Sequence, residues 1–115
     1  DLEHWAPGAP RQTDSAAARA YRRRLVGASW GGALVAHHYT RYLGDLSGGQ
    51  AIGKILDRKF GLDGAGLAFY HFPVRPKPYK DAYRARLDDL DLDDRAIDRA
   101  VAEVRVAFRL NQALF

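Results

Sequence analysis

The sequence predicts an all-α protein, and three observations carry that reading. Apolar residues recur at helical spacing, most cleanly at Ile97, Val101, Val104, Phe108 and Phe115. Residues that start or stop helices stand where they should: Thr13 or Asp14, Pro78, and Asp91 or Asp93 at starts, Gly61 at an end. A strand can be drawn only within residues 62–77, and no second segment is patterned to pair with it.

Taken in order, residues 1–12 hold Pro7, Gly8 and Pro10 and read as a helix end followed by a connection. A first helix runs from its cap at Thr13 or Asp14 to about Ser29, with Ala18, Tyr21, Leu25 and Ala28 as its apolar stripe. Trp30, Gly31 and Gly32 break it. A second begins near Ala33 and continues to about Lys59, with Leu34, Tyr42, Leu43, Leu46, Ile52, Ile55 and Leu56 towards the core. The paired Gly48 and Gly49 should bend it. The irregular stretch that follows is anchored by Leu67, Phe69, Tyr70 and Phe72. A third helix, from Pro78 to about Leu90, buries Tyr79, Tyr83, Leu87 and Leu90. The last buries the row that begins at Ile97. A chain of 115 residues holds one domain with a modest core and is too short for two.

Composition narrows the class. With 47% hydrophobic and 28% charged residues the chain is of the soluble globular kind, and no apolar run reaches the roughly 18 residues of a membrane span. It holds no Cys, which excludes disulfides and thiolate metal sites and fits a cytoplasmic protein. Met is absent even at position 1, so the chain is expected to be part of a longer one. The net charge of +4 favours acidic partners. Its excess gathers at Arg19, Arg22, Arg23 and Arg24, and again from Arg75 through Lys77, Lys80, Arg84 and Arg86. Few aromatics accompany these clusters, so nucleic acid is not expected as a partner. No two of His4, His37, His38 and His71 have the spacing of a helical metal site, and no metal ligand is assigned.

Residues 39–50, YTRYLGDLSGGQ, are the unusual stretch. Thr40, Gly44, Ser47, Gly48 and Ala51 fall along one stripe of a helix, almost bare of side-chain bulk. Each Gly costs a helix about 1 kcal/mol relative to Ala. Either another helix comes very close, or a flat, rigid ligand lies on the exposed backbone. Asp45 stands at the edge of this stripe with Arg41 four residues earlier, a spacing that permits an ion pair. On a surface such a pair is worth little; in a pocket it would orient the carboxylate to organise water. Lys80 and Arg84 share one side of the third helix, either as a solvated basic face or as a clamp for carboxylates.

The run HHYTRYLGDLSGGQ at 37–50 resembles the distal helix of the heme oxygenase family. GLAFYHFP at 66–73, YKDAYRARLDDL at 79–90, AFRLNQALF at 107–115 and DLEHWA at 1–6 are similar to that family in the same order. The resemblance implies one partial heme oxygenase-like domain over 1–115, made of the distal-side helices only. It implies that Gly44, Ser47, Gly48 and Gly49 lie against heme, with Thr40 beside them. Asp45, held by Arg41, would anchor water next to bound oxygen. Tyr39, Lys80 and Arg84 would meet the propionates, and Phe108 and Asn111 would line the far side of the pocket. Heme would be both cofactor and substrate, opened by O2 and an external electron donor to biliverdin, carbon monoxide and ferrous iron. The reductase would be a ferredoxin or flavoprotein. None of the four histidines matches the family's proximal ligand, so the half carrying it would belong to another chain or be lost. The alternative is a heme-binding or helical interaction module without activity.

Overall fold

Helix occupies residues 31–60 without interruption and forms the spine of the computed structural model, which describes residues 1–12 and 14–115. Its outer parts are α-helical: α3, Gly31–His38, and α4, Gln50–Phe60. Between them lie two π-helical turns, Tyr39–Leu43 and Asp45–Gly49. The segment holding Gly48 and Gly49, where a bend is expected, is a widened helix. Gly61 ends the spine in the left-handed region at φ 61°, where glycine carries no Cβ penalty.

The flanking helices start where local chemistry permits. A short turn, α1, spans Leu2–Trp5, and α2 spans Ala16–Val26. Ser15 caps α2, its Oγ accepting from the Ala18 N–H at 3.1 Å. Of the two expected caps, Asp14 pairs with Arg19 at 3.0 Å instead, and Thr13 lies outside the described residues. Helix α5, Pro76–Asp88, begins two residues before Pro78, because both prolines fit a first turn whose N–H groups have no helical partner. Helix α6, Asp94–Gln112, is capped by Asp93, which accepts from Ala96 N–H at 2.7 Å. The stretch between α4 and α5 holds one 3-10 turn, Ala68–Tyr70, and no strand appears among the described residues. The N-terminus fastens that stretch. Asp1 carboxylate oxygens accept from Ala68 N–H at 2.8 Å and Phe69 N–H at 2.5 Å, and Trp5 Nε1 donates to Gly66 O at 2.7 Å.

Packing is closest between α3 and α6, where Ala33, Ala36 and Ala107 are all buried. Small side chains let the two backbones approach, and Leu43, Leu46 and Leu67 extend the core beside them. This reverses part of the expected pattern. Ile97, Val101 and Phe108 are exposed, Val104 is half-buried, and Phe115 lies beyond the helix end. The buried side of α6 is the one carrying Glu103 and Ala107. Leu25, Leu34, Ile52, Ile55, Phe69 and Leu90, also expected in the core, are exposed as well. Hydrophobic spacing marks an apolar face, but it does not say whether this chain covers that face. No helix among the described residues is long and apolar enough to cross a membrane.

Gly53 shows how tightly the spine meets the 3-10 turn. A Cβ there would stand 2.8 Å from Tyr70 Cβ. Gly53→Ala is therefore expected to destabilise the fold by about 1–2 kcal/mol, overpacking outweighing the gain in helix propensity. Urea denaturation followed by circular dichroism measures it. An unchanged midpoint would show that Tyr70 can yield.

A glycine-walled face with an oriented carboxylate

The π turns have a local cause. Thr40 Oγ1 donates to Ala36 O at 2.8 Å and Ser47 Oγ to Leu43 O at 2.6 Å, each taking the carbonyl its own N–H would use in an α-helix. With those carbonyls engaged and glycine at three nearby positions, the ladder widens. The glycines then divide into two kinds. A Cβ on Gly44 or Gly48 would meet nothing within 4 Å. A Cβ on Gly49 would lie 3.4 Å from the Tyr70 ring, and Gly53 continues that contact. Gly49 and Gly53, outside the bare stripe, pack on Tyr70 of the 3-10 turn, while no part of the described chain covers Gly44 and Gly48 on it.

At the edge of the open pair, Arg41 Nη2 stands 3.2 Å from Asp45 Oδ2. Arg41 is held from behind, because its Nη1 donates to Asn111 Oδ1 at 3.1 Å. Asn111 Nδ2 donates in turn to Tyr21 Oη at 3.0 Å and to Ala107 O at 2.8 Å. Tyr21 Oη lies 3.3 Å from His37 Nδ1, and His37 Nε2 lies 3.0 Å from Glu103 Oε1. Arg24 Nε donates to the same carboxylate at 2.8 Å, with a second contact from its Nη2. A carboxylate only accepts, so His37 Nε2 donates to Glu103. Arg41 donates to Asn111 and Asn111 to Tyr21, so these links run from Arg41 towards Glu103. Linked bonds of this kind polarise one another and hold Arg41 beside Asp45.

The hydrogen bond from Arg24 holds the Glu103 carboxyl below its ordinary value of 4.5, against the opposing effect of burial, with His37 assisting. A lowered native pKa means that unfolding takes up protons as the pH falls. The stabilisation is whole above about pH 4.5 and is lost progressively below it. Glu103→Gln is expected to flatten the fall in stability below that point, read from thermal midpoints between pH 3 and 7. Equal slopes would remove Glu103 from the account.

The basic side of the face comes from α5. Lys80 Nζ donates to Ser47 Oγ at 3.3 Å, so helix α5 reaches the glycine segment directly. Arg84 is exposed and only loosely paired with Asp81, at 3.7 Å. Lys77 is committed to Asp81 at 2.6 Å, and its hydrogen bond lowers the Asp81 pKa. Tyr39 and Arg84 line one hollow together. Behind Tyr39, the His38 ring stacks between Tyr42 and Tyr83, with centroids 5.1 and 5.6 Å away, and its Nδ1 lies 2.9 Å from Tyr83 Oη. Burial raises both tyrosine pKa values. Phe108 sits one helical turn before Asn111 and is exposed. The arrangement suits a flat, largely apolar ligand with acidic groups towards Lys80 and Arg84.

Tyr21, His37 and Glu103 were not legible as parts of this site. Tyr21 reads as one residue of an apolar stripe, and His37 as an ordinary histidine. The one available signal was Glu103, an acid sharing a helix face with Ala96, Ala100 and Ala107.

The sequence profile of the heme oxygenase family matches residues 1–115. Heme oxygenase 1 of Rattus norvegicus is 42% identical over 97% of this chain, which spans 40% of that protein. Heme oxygenase 1 of Synechocystis sp. is 45% identical over 88% of this chain, which spans 44% of it. The crystal structure of Synechocystis heme oxygenase-1, solved in complex with heme, superposes on 96% of this chain and 52% of its own. Its TM-score is 0.81 at 42% identity. The helical architecture agrees, and the chain spans about half or less of these relatives. A helix bare of side chains at Gly44 and Gly48, an oriented carboxylate beside it and a profile matched from end to end have one common account: this chain belongs to the heme oxygenase family.

Proposed function

We propose that this chain forms the distal side of a heme-degrading oxygenase, one wall of a pocket in which heme is cleaved to biliverdin, carbon monoxide and ferrous iron. The observation that carries the proposal is the open backbone at Gly44 and Gly48 edged by the Arg41–Asp45 pair. When bound, heme supplies the iron chemistry that activates O2. The residues of this chain do four other things. Gly44 and Gly48 let the ring approach the helix backbone, with Thr40 and Ser47 keeping that helix wide, and Gly49 seats it against Tyr70. Tyr39, Lys80 and Arg84 hold the acidic edge. Phe108 and Asn111 close the far side. Asp45, oriented by Arg41, moves protons through water without placing an acid directly on the reacting atoms.

Among the described residues no histidine lines the open face at Gly44 and Gly48: His37 and His38 are engaged with Glu103 and Tyr83, His4 lies near Gly66, and His71 lines a separate hollow with Gly53 and Tyr70. The iron ligand therefore comes from the complementary half of the fold, and the electrons from a ferredoxin or flavoprotein that meets the basic surface. We place the protein in the cytoplasm. The same shortage of histidine favours, as a second reading, a module that binds heme without turnover. Hemin and a reductant added to the protein, with absorbance spectra taken in time, test the assignment. Biliverdin formation with the complementary half present supports the oxygenase. A stable hemin complex without biliverdin in that mixture supports the module.

A further inference from the structure

The chain holds no Cys and no Met, so oxidation falls first on its tyrosines and its two tryptophans. Four of the six tyrosines gather in one cluster beside the basic edge of the glycine face. Tyr39, which shares a hollow with Arg84, stands 6.2 Å from Tyr83, ring centre to ring centre. Tyr83 stands 6.3 Å from Tyr79, and Tyr79 stands 5.4 Å from Tyr42. His38 lies between Tyr42 and Tyr83, stacked at 5.1 and 5.6 Å and nearly parallel to both. Electron tunnelling falls steeply with distance, so rings in contact make a path.

Tyr83 also has a partner for its proton. Its Oη lies 2.9 Å from His38 Nδ1. A neutral imidazole has one bare nitrogen, and with Nδ1 bare it accepts from the phenol. Loss of an electron from a phenol ring makes the hydroxyl strongly acidic, and His38 stands where that proton must go. Burial raises the Tyr83 pKa, which keeps the proton in place until the ring is oxidised. The competing sites are poorer. Tyr21 meets His37 at 3.3 Å, but its ring has no second aromatic neighbour among the described residues. Arg99 lies 4.5 Å over the Trp30 ring, and a cation there opposes loss of an electron. Trp5 packs on His4 and Phe60, outside the cluster.

We propose that Tyr83 and His38 form a one-electron oxidation site, reached from the ligand face by way of Tyr39, that carries stray oxidising equivalents to reductants in solution. The oxidant is of the class that a peroxide and a bound heme produce. It gains one electron, drawn from the Tyr83 ring across Tyr39. The Tyr83 O–H bond breaks, its proton passes to His38 Nδ1, and a neutral tyrosyl radical remains. A thiol or enediol reductant then gives one electron back, the proton returns from His38, and the phenol is restored. The oxidant is reduced by one electron and the solution reductant oxidised by one. His38 is exposed, so such reductants reach the cluster. The source of the oxidant rests on the heme reading; the Tyr83–His38 site does not.

The first test uses the intact chain without heme. Light, tris(bipyridine)ruthenium and persulfate supply the oxidant, and freeze-quench electron paramagnetic resonance reads the tyrosyl radical. Tyr83→Phe should remove most of the early signal, while Tyr70→Phe leaves it unchanged. His38→Phe keeps a ring in the stack but no proton acceptor, and should slow radical formation about tenfold or more. Circular dichroism checks the helix content of each variant. If Tyr83→Phe loses it, a nitroso spin trap with peptide mass spectrometry locates the radical in the parent chain instead. A radical formed first on Tyr21, Tyr70 or Trp5, or a His38→Phe variant oxidised at the parent rate, would overturn the proposal. The second test adds hemin, the complementary half and hydrogen peroxide, and the spin trap should again mark Tyr83. Bound hemin with Tyr83 unmarked would overturn the path from the ligand face. Hemin that does not bind would sink the heme reading, and the first test would still decide the Tyr83–His38 site.

Discussion

Asp45→Ala is expected to lower biliverdin formation about a hundredfold or more while hemin affinity changes less than threefold. The scale is that of removing a positioned proton-transfer group. The separation of the two effects follows from geometry. Asp45 is partly buried at the edge of the glycine face, 3.2 Å from Arg41, and takes no part in the contact surface of Gly44 and Gly48. On the proposed mechanism, removing it would leave the wall and the basic edge in place and take away the anchor of the proton-delivering water. Arg41 stays attached to Asn111 at 3.1 Å, so the fold should hold. Single-turnover absorbance spectra of the hemin complex, taken with the complementary half present, measure both quantities. Biliverdin at the parent rate would remove Asp45 from the mechanism.

Gly48→Leu should separate stability from ligand binding in the opposite way. Nothing lies within 4 Å of the position a Cβ would take, so the Cβ of the new side chain meets no protein atom. Helix propensity alone should then raise stability by about 0.5–1 kcal/mol. The same side chain would stand where the flat ligand needs bare backbone, and hemin affinity should fall at least tenfold. Gly53→Ala loses stability through Tyr70 at a position that faces away from the open pair. The contrast between the two variants distinguishes a ligand wall from a packing seam, which sequence spacing alone cannot do. Unchanged hemin affinity in Gly48→Leu would mean that the ligand lies elsewhere.

Much of the site was legible because its parts are close in sequence. Arg41 and Asp45 are four residues apart, Gly44 and Gly48 likewise, and the stripe they border is a property of one helix. Lys80 and Arg84 were legible for the same reason. That Lys80 reaches Ser47, 33 residues away, was not. The chain from Arg41 through Asn111, Tyr21 and His37 to Glu103 was equally hidden, since its links join residues 16 to 90 positions apart. Caps were legible only to within a residue or two: Ser15 and Asp93 were decided by which side chain reaches a free N–H.

The sequence by itself determined the all-α class, the glycine stripe, its neighbouring ion pair and the resemblance to heme oxygenases, because each is written at helical spacing within one element. Tertiary structure alone decided which glycines stay open, Gly44 and Gly48, and which are used for packing, Gly49 and Gly53 against Tyr70. It also decided the buried face of α6. There Glu103 and Ala107 lie inside while Ile97, Val101 and Phe108 remain outside. The physical reason is common to both. Hydrophobicity and size are local properties of a residue, whereas burial depends on what other surface arrives to cover it.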